Sequence, residues 1–408
     1  MSGALSHIRV LDLSRILAGP WCGQLLGDLG AEVIKIERPD GGDDTRSWGP
    51  PFLQGKSDGD VTGDAAYFLC ANRNKKSVTV DFTRPEGQKI IVELASKSDV
   101  VIENFKVGGL QAYGLDYESL KAVNPGIIYC SITGFGQTGP YAKRPGYDFL
   151  IQAMGGLMSI TGRKTGEPGA GPQKVGVALT DILTGLYGSV GILAALAHRD
   201  RTGEGQHIDM ALLDVQVACL ANQSMNYLVS GTAPIPLGNS HPNIVPYQDF
   251  PTADGHMIIA VGNDTQFTRL CDVLGAPALA IDDRFVTNRA RVENREALIP
   301  QLNELTIKLK TTDWVSKLEA VSVPCGPIND MDAVFKDPQV VARGTKIELP
   351  HAHSGVAPSV ANPIRMSVTP VSYHSAPPEL GSATMDILTS ILEIKPERVR
   401  ELEMMGIV

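Results

Sequence analysis

Apolar residues follow two rhythms along the first half of the chain. Residues 8–13 are apolar and β-rich, and Glu32-Val-Ile-Lys-Ile-Glu37 alternates with period two, the spacing of a strand. Residues 77–82 read as another strand. Residues 21–29 read as a helix, as do residues 85–97, where Pro85 occupies the first turn and its missing N–H costs nothing. Residues 99–103 and 127–132 are short apolar runs of the kind buried on both faces of a sheet. This strand–helix–strand succession predicts a parallel sheet covered by helices, an α/β domain.

The second half changes character. Residues 182–197 form a run of small and apolar residues that predicts a buried helix, and Gly203-Glu-Gly-Gln206 punctuates the chain after it. A long helical pattern follows over 210–229, then linker composition over 233–242. Residues 247–250 and 256–261 read as strands joined by a Thr-Ala-Asp-Gly turn. Helical patterns run over 266–274, 295–309 and 313–321. Residues 240–330 are therefore read as a smaller α+β domain. Beyond Pro324-Cys-Gly-Pro327, a short strand at 346–349 precedes terminal helices at 384–392 and 397–405.

Composition narrows the function classes. At 408 residues and 43% hydrophobic, the chain can bury a large core and forms two domains. A net charge of −9 argues against a broad nucleic-acid surface. The apolar run 182–197 contains glycines and is too short for a membrane span. The N-terminus shows neither a signal-peptide nor a transit pattern, and the six cysteines are widely spaced without a Cys-x-x-Cys. A reduced, cytoplasmic protein without a metal site is expected. His351-Ala-His353 reads as a surface loop, and Asp43-Asp44, beside two glycines, as turn residues.

Asp181 is the residue that draws chemical attention. It opens the apolar run, where an ionised carboxylate pays for desolvation unless something compensates it. The N-terminus of the helix offers that compensation. Two readings stay open: a helix cap, stabilising by about 0.5–2 kcal/mol, or a nucleophile. A dinucleotide cofactor is disfavoured, because Ser14-Arg-Ile-Leu-Ala-Gly-Pro20 lacks the Gly-x-Gly-x-x-Gly a pyrophosphate requires. Basic residues nevertheless recur after the strands: Arg38, Arg46, Arg73, Lys75, Lys76, Lys106, Lys143 and Arg144. Such loops converge at the carboxyl edge of an open α/β sheet, and their charge suits a phosphate-bearing ligand.

These segments resemble the family III CoA-transferases, the formyl-CoA transferase and carnitine–bile-acid (CaiB–BaiF-like) group. The resemblance rests on Arg9-Val-Leu-Asp-Leu-Ser14, Ala18-Gly-Pro20, Leu29-Gly-Ala-Glu-Val-Ile-Lys-Ile-Glu-Arg38, Gly42-Asp-Asp-Thr-Arg46 and Asn72-Arg-Asn-Lys-Lys-Ser77. It continues through Glu103-Asn-Phe105, Ser131-Ile-Thr-Gly-Phe-Gly136, Arg144-Pro-Gly-Tyr-Asp148, the Asp181 segment and Thr202-Gly-Glu-Gly-Gln206, covering essentially the whole chain. Trp48-Gly-Pro-Pro-Phe52, Val217-Ala-Cys-Leu220 and Ile244-Val-Pro-Tyr-Gln248 are most similar to the succinyl-CoA-dependent glutarate and hydroxymethylglutarate enzymes.

The resemblance implies a Rossmann-like large domain built from both chain ends and a smaller α+β domain, in an interlocked homodimer. The implied bounds are 1–208 for the CoA-binding part, 209–239 for a helix and linker, 240–330 for the small domain and 331–408 for the return to the large one. It implies Asp181 as the nucleophile, forming an aspartyl anhydride and then a β-aspartyl-CoA thioester. It implies CoA contacts at Leu17, Ala18, Arg38, Val80, Asn104, Phe105 and Arg144 to Asp148, including Tyr147. Ala112 stands where formyl-CoA enzymes carry an arginine, and Lys106 takes that role. Gly262 and Asn263, in the segment Val261-Gly-Asn-Asp264, correspond to a loop that closes over the acyl group, and Trp48 joins the substrate site. Because a buried carboxylate needs a cation, Arg46, Arg73 and Lys75 are the candidates for the distal carboxylate of a short dicarboxylate such as glutarate, itaconate or hydroxymethylglutarate. No tightly bound cofactor is expected, CoA thioester being a substrate, and no membrane or nucleic-acid partner. The same fold also serves α-methylacyl-CoA racemases, which carry His-Asp where this chain has Tyr147-Asp148. Tyr, with an unperturbed pKa near 10, is a poor base for an α-proton, which favours transfer over racemisation or non-catalytic CoA binding.

Overall fold

A computed structural model describes residues 3–56 and 61–408. The chain divides into two compact units, one comprising Met1–Leu157, Val175–Met225 and Gln339–Val408, the other Met158–Lys174 and Asn226–Pro338.

In the first unit, β1 (Arg9–Asp12), β2 (Glu32–Glu37), β3 (Lys75–Thr79), β4 (Val100–Glu103), β5 (Ile128–Thr133) and β6 (Gln206–Ala211) form one parallel sheet. Their order is β3-β2-β1-β4-β5-β6. Strand order reverses between β1 and β4, which opens a crevice at the carboxyl ends of those strands. Period two sorts side chains to the two faces. Val10, Val33, Val100 and Ile128 enter one core cluster, while Leu11, Ile34, Val101 and Tyr129 enter the other. Each such burial contributes about 1.5–3 kcal/mol. Helices Thr384–Ser390 and Pro396–Met404 add Ile387, Leu388, Val399 and Leu402 to the second cluster. Both ends of the chain therefore build this unit.

Three helices matter for the site: α1 (Ala18–Asp28), α2 (Asp148–Met154) and α3 (Leu179–Thr202). At 24 residues α3 is longer than the apolar run that announces it, and long and apolar enough by composition to cross a membrane. The length of α3 thus overturns the expectation of a run too short for a membrane span. In this fold one face of α3 is buried, with Thr184, Gly188, Ile192 and Ala195 turned into the core. A Cβ on Gly185 would lie 2.7 Å from the Ala18 carbonyl oxygen and 3.1 Å from the Trp21 Cβ. Only glycine permits α3 to approach α1 this closely.

Three local expectations are corrected. The pattern over 210–229 is not one helix, because β6 takes its start and Leu212–Ala218 is separated from Ala221–Ser230 where Ala221 adopts φ +46°. Strand β3 starts at Lys75, two residues before the apolar pattern, because an ion pair lets a lysine enter the sheet there. His351 is not in a surface loop. It ends strand Lys346–His351, is buried, and its Nδ1 accepts from the Ser354 N–H at 3.2 Å.

The second unit holds a three-stranded antiparallel sheet of Tyr247–Thr252, Gly255–Ala260 and Cys325–Pro327. Helices Asp264–Val273, Arg295–Thr306 and Thr311–Glu319 supply Phe267, Leu270, Leu298, Leu302 and Trp314 to its core beside Phe250 and Met257. It is an α+β unit. The segment Met158–Lys174 belongs to it, although no periodic pattern in the sequence sets that segment apart.

Candidate active site

A cleft of about 560 Å³ opens at the carboxyl edge of the parallel sheet, lined from the ends of all six strands. Its position follows from the strand order, since loops leaving β1 and β4 diverge there. Asn104, just after β4, ties the two loops together. Its Nδ2 donates to the Arg15 carbonyl at 2.7 Å, and its Oδ1 accepts from the Arg15 N–H at 2.9 Å.

Nine of the ten residues expected at CoA line this cleft: Leu17, Ala18, Arg38, Val80, Asn104, Phe105, Lys106, Arg144 and Tyr147. Arg38 is oriented by the Gly42 carbonyl at 3.0 Å and by Asp44 at 3.0 Å. Phe105 packs edge-on to Phe82 at 5.6 Å between ring centres, an apolar wall beside the polar loop. Lys106, Lys143 and Arg144 are exposed and, among the described residues, make no ion pair with a protein carboxylate. Three such cations lining one cleft are suited to phosphate groups. Gly134 and Gly146 hold the segment carrying the last two of them, since a Cβ on either would come within 2.6 Å of the other's Cα.

Asp181 lines the same cleft. It is not the cap of α3. The helix starts at Leu179, the preceding residue Ala178 offers no side-chain cap, and Asp181 is the third residue. The orphan N–H groups of that first turn are satisfied from α2. Asp148 Oδ1 accepts from the Thr180 N–H at 2.8 Å and from the Asp181 N–H at 3.3 Å. Asp148 Oδ2 is held by Gln152 Nε2 at 2.7 Å. Asp148 is the tenth expected CoA contact. It does not line the cleft, because its carboxylate is engaged in this cap. The Asp181 carboxyl itself makes no hydrogen bond among the described residues, and burial, with the Asp148 charge second, pushes its pKa up to about 7. The helix terminus therefore does not hold it as a low-pKa carboxylate.

Arg46, Arg73 and Lys75 do not face the cleft, and the expectation that they clamp a substrate carboxylate is corrected. All three are buried. Arg46 pairs with Glu37 and with Asp64, each at 2.8 Å, over the face of Phe68. Arg73 pairs with Asp28, and Lys75 with Asp12 at 2.9 Å. Their charges are matched inside the protein. Asp43, read as a turn residue, caps a short turn but also pairs with fully buried Lys35 at 2.8 Å.

Trp48 lies outside the cleft lining, half exposed, edge-on to Tyr67 at 5.3 Å. Burial, then the nearby Asp181 charge, raises the Tyr67 pKa to about 12, which places this phenol within the field of Asp181. Gly262 and Asn263 belong to the second unit, where the Gly262 N–H donates to Gln266 Oε1 at 2.7 Å and the Asn263 side chain caps Asp264–Val273.

The sequence reading missed Arg15, Ile16 and Tyr67. Arg15 lines the cleft and pairs with Asp44 at 2.7 Å. Ile16 also lines it, at φ +72°, a conformation a β-branched residue adopts only where surrounding contacts impose it. Periodicity carries no signal for such a backbone. Among the described residues, no group of three or more His, Cys, Asp or Glu side chains is placed to hold a metal ion.

The comparisons with known proteins agree with this geometry. The model of CoA-transferase family III matches residues 5–384. The succinate–glutarate CoA-transferase of Agrobacterium fabrum is 54% identical over 391 residues, covering 96% of each chain. The human succinyl-CoA:glutarate CoA-transferase is 44% identical over 404 residues, covering 99% of this chain and 90% of that protein. A CAIB/BAIF family protein from Brucella suis, solved by crystallography, superposes with a TM-score of 0.84 at 52% identity, covering 96% of this chain and all of that one. With a sheet-edge cleft, an open aspartate within it and relatives matched over nearly their whole length, this chain belongs to CoA-transferase family III and is a CoA-transferase.

Proposed function

We propose that the enzyme moves CoA from succinyl-CoA to glutarate, with Asp181 as the covalent carrier. The observation that carries this reading is the Asp181 carboxyl, which makes no hydrogen bond among the described residues and opens to the cleft that Lys106, Lys143 and Arg144 line. The names of the relatives at 54% and 44% identity support the substrate pair.

Asp181 attacks the succinyl thioester carbonyl, the C–S bond breaks, and CoA thiolate leaves a succinyl–aspartyl anhydride. The thiolate attacks the aspartyl carbonyl and expels succinate, giving a β-aspartyl-CoA thioester. A glutarate carboxylate then attacks that thioester and releases the thiolate, which attacks the glutaryl carbonyl of the second anhydride and restores the Asp181 carboxylate. Every step exchanges one activated acyl group for another, so neither ATP nor net proton transfer is required. Water must be excluded while the anhydrides exist. The nucleophile must be ionised, so with its pKa near 7 the kcat/KM for succinyl-CoA falls about tenfold per pH unit below that value. An acid limb near pH 4 instead would contradict a nucleophile in this environment.

Lys106 and Lys143 serve the CoA phosphates in this reading. Lys106→Ala and Lys143→Ala each raise KM for succinyl-CoA about tenfold, roughly the value of one charge-assisted hydrogen bond. kcat stays within twofold, as uniform binding requires. A fall in kcat at unchanged KM would remove these lysines from CoA binding.

The working form is proposed to be a homodimer. Tyr187, Val190 and Leu193 leave an apolar face on α3 exposed, and Leu228 and Val229 do so in the second unit. Apolar patches of this kind mark interaction surfaces. Sedimentation equilibrium is expected to give twice the 43.6 kDa chain mass, and an active monomer would contradict the assignment.

A further inference from the structure

We infer that Asp148 is a positioning residue of the transfer reaction, one that aims and charges the nucleophile from a neighbouring helix and makes no contact with CoA. The inference rests on the reading of Asp181 as the covalent carrier, which it deepens.

The geometry is a cap supplied in trans. A helix that begins without a capping side chain leaves its first N–H groups unsatisfied. In α3 two of those groups, on Thr180 and on Asp181 itself, converge on one oxygen of Asp148 at 2.8 and 3.3 Å. The other oxygen is fixed by Gln152, a fully buried side chain whose Oε1 also accepts from the Val175 N–H at 2.9 Å. One network thus fixes the strand of chain entering α3, the first turn of α3 and the backbone of the nucleophile. Thr180 is fixed a second time, through its hydroxyl to Gln216 Oε1 at 2.6 Å. Among the described residues the Asp181 side chain has no hydrogen-bond partner of its own, so its direction is set by the backbone that Asp148 holds.

The same arrangement has an electrostatic effect. An anion at a helix start cancels the positive end that would otherwise stabilise a second anion there. After burial, the Asp148 charge is the second cause that raises the Asp181 pKa, and the one charge that does so among the described residues. The titratable groups of the other elements packed on α3 do not contribute. These are Cys22 and Asp28 on α1, Tyr129 and Cys130 on β5, His207 and Asp209 on β6, and Asp214 on Leu212–Ala218. Tyr67 feels the Asp181 charge and stays protonated. A carboxylate kept basic, by burial first and by Asp148 second, is more nucleophilic once ionised, and it leaves the aspartyl anhydride less readily.

The test compares the wild-type enzyme with Asp148→Asn and Asp148→Ala, reading the pH profile of kcat/KM, the Kd for CoA and the trapped adduct. Asn keeps an acceptor and removes the charge. The acid limb is expected to move down by about half a pH unit or more, as removal of a nearby like charge requires, while the bond from Gln152 is lost and kcat at the plateau falls less than in the Ala protein. Ala removes the acceptor as well, so its limb moves equally while kcat falls roughly ten- to a hundredfold from lost orientation. The Kd for CoA stays within twofold in both. If the Asn protein does not accumulate, Asp148→Ser, a neutral residue common at helix starts, takes its place. An unmoved limb, or a tenfold weaker affinity for CoA, would overturn the inference. Failure of the underlying reading shows elsewhere, as absence of any adduct at Asp181 in the wild-type enzyme.

Discussion

Asp181→Asn is expected to lower kcat/KM for CoA transfer by on the order of 10⁴ or more, the scale observed when a covalent nucleophile is removed. The affinity for CoA should not change, because the cations lining the cleft and the Asn104-linked loops are untouched. The same substitution is expected to stabilise the fold, and the sign follows from the shift. In the folded protein Asp181 holds its proton up to about pH 7, whereas the unfolded chain releases it near 3.8. The folded state binds more protons across that window, so stability declines as pH rises through it and stays lower above pH 7. Asn carries no such penalty. Its melting temperature should exceed that of wild type at pH 8, and the two should converge below pH 4. A variant with full activity, or one less stable than wild type at pH 8, would contradict this environment for the carboxyl.

Lys75→Ala is expected to act on stability and not on catalysis. Lys75 Nζ meets Asp12 at 2.9 Å, the Pro20 carbonyl at 2.8 Å and Asn72 at 3.0 Å, with no exposure of either charged side chain. Burial lowers the Lys75 pKa, and Lys75 and Lys35 hold Asp12 low against its own desolvation. Removing one partner leaves the other charge buried, a loss of about 3–5 kcal/mol. Chemical denaturation should show that loss, and the protein that remains folded should keep its KM for glutarate. Stability within 1 kcal/mol of wild type with a tenfold higher KM for glutarate would return Lys75 to the substrate site.

Much of the sheet was legible because its signal is local. Period two in Glu32–Glu37 and the apolar runs at Val100–Glu103 and Ile128–Thr133 identify strands whatever surrounds them. The site was legible in part for the same reason: loops after strands converge, and Arg38, Lys106, Lys143 and Arg144 meet at one cleft, where the family resemblance also placed Leu17, Val80, Asn104 and Phe105. What a cation does there is not local. Arg73 and Lys75 stand in the same basic loop that made them look like ligand contacts, yet their partners Asp28 and Asp12 lie 45 and 63 positions away. No spacing rule announces such a pair. The cap from Asp148 to Thr180 spans 32 positions and escapes sequence for the same reason. The break at Ala221 and the strained turn at Ile16 are imposed by tertiary contacts on residues whose own preferences point elsewhere.

In the proposed mechanism CoA becomes attached to Asp181 in the course of transfer. Incubating the enzyme with succinyl-CoA in the absence of glutarate, digesting it rapidly and weighing the peptides by mass spectrometry tests this most directly. The peptide containing Asp181 is expected to carry CoA as a thioester, which hydroxylamine converts to a hydroxamate and added glutarate discharges as glutaryl-CoA. An unmodified Asp181 peptide, together with kinetics in which both substrates must bind before either product leaves, would contradict it.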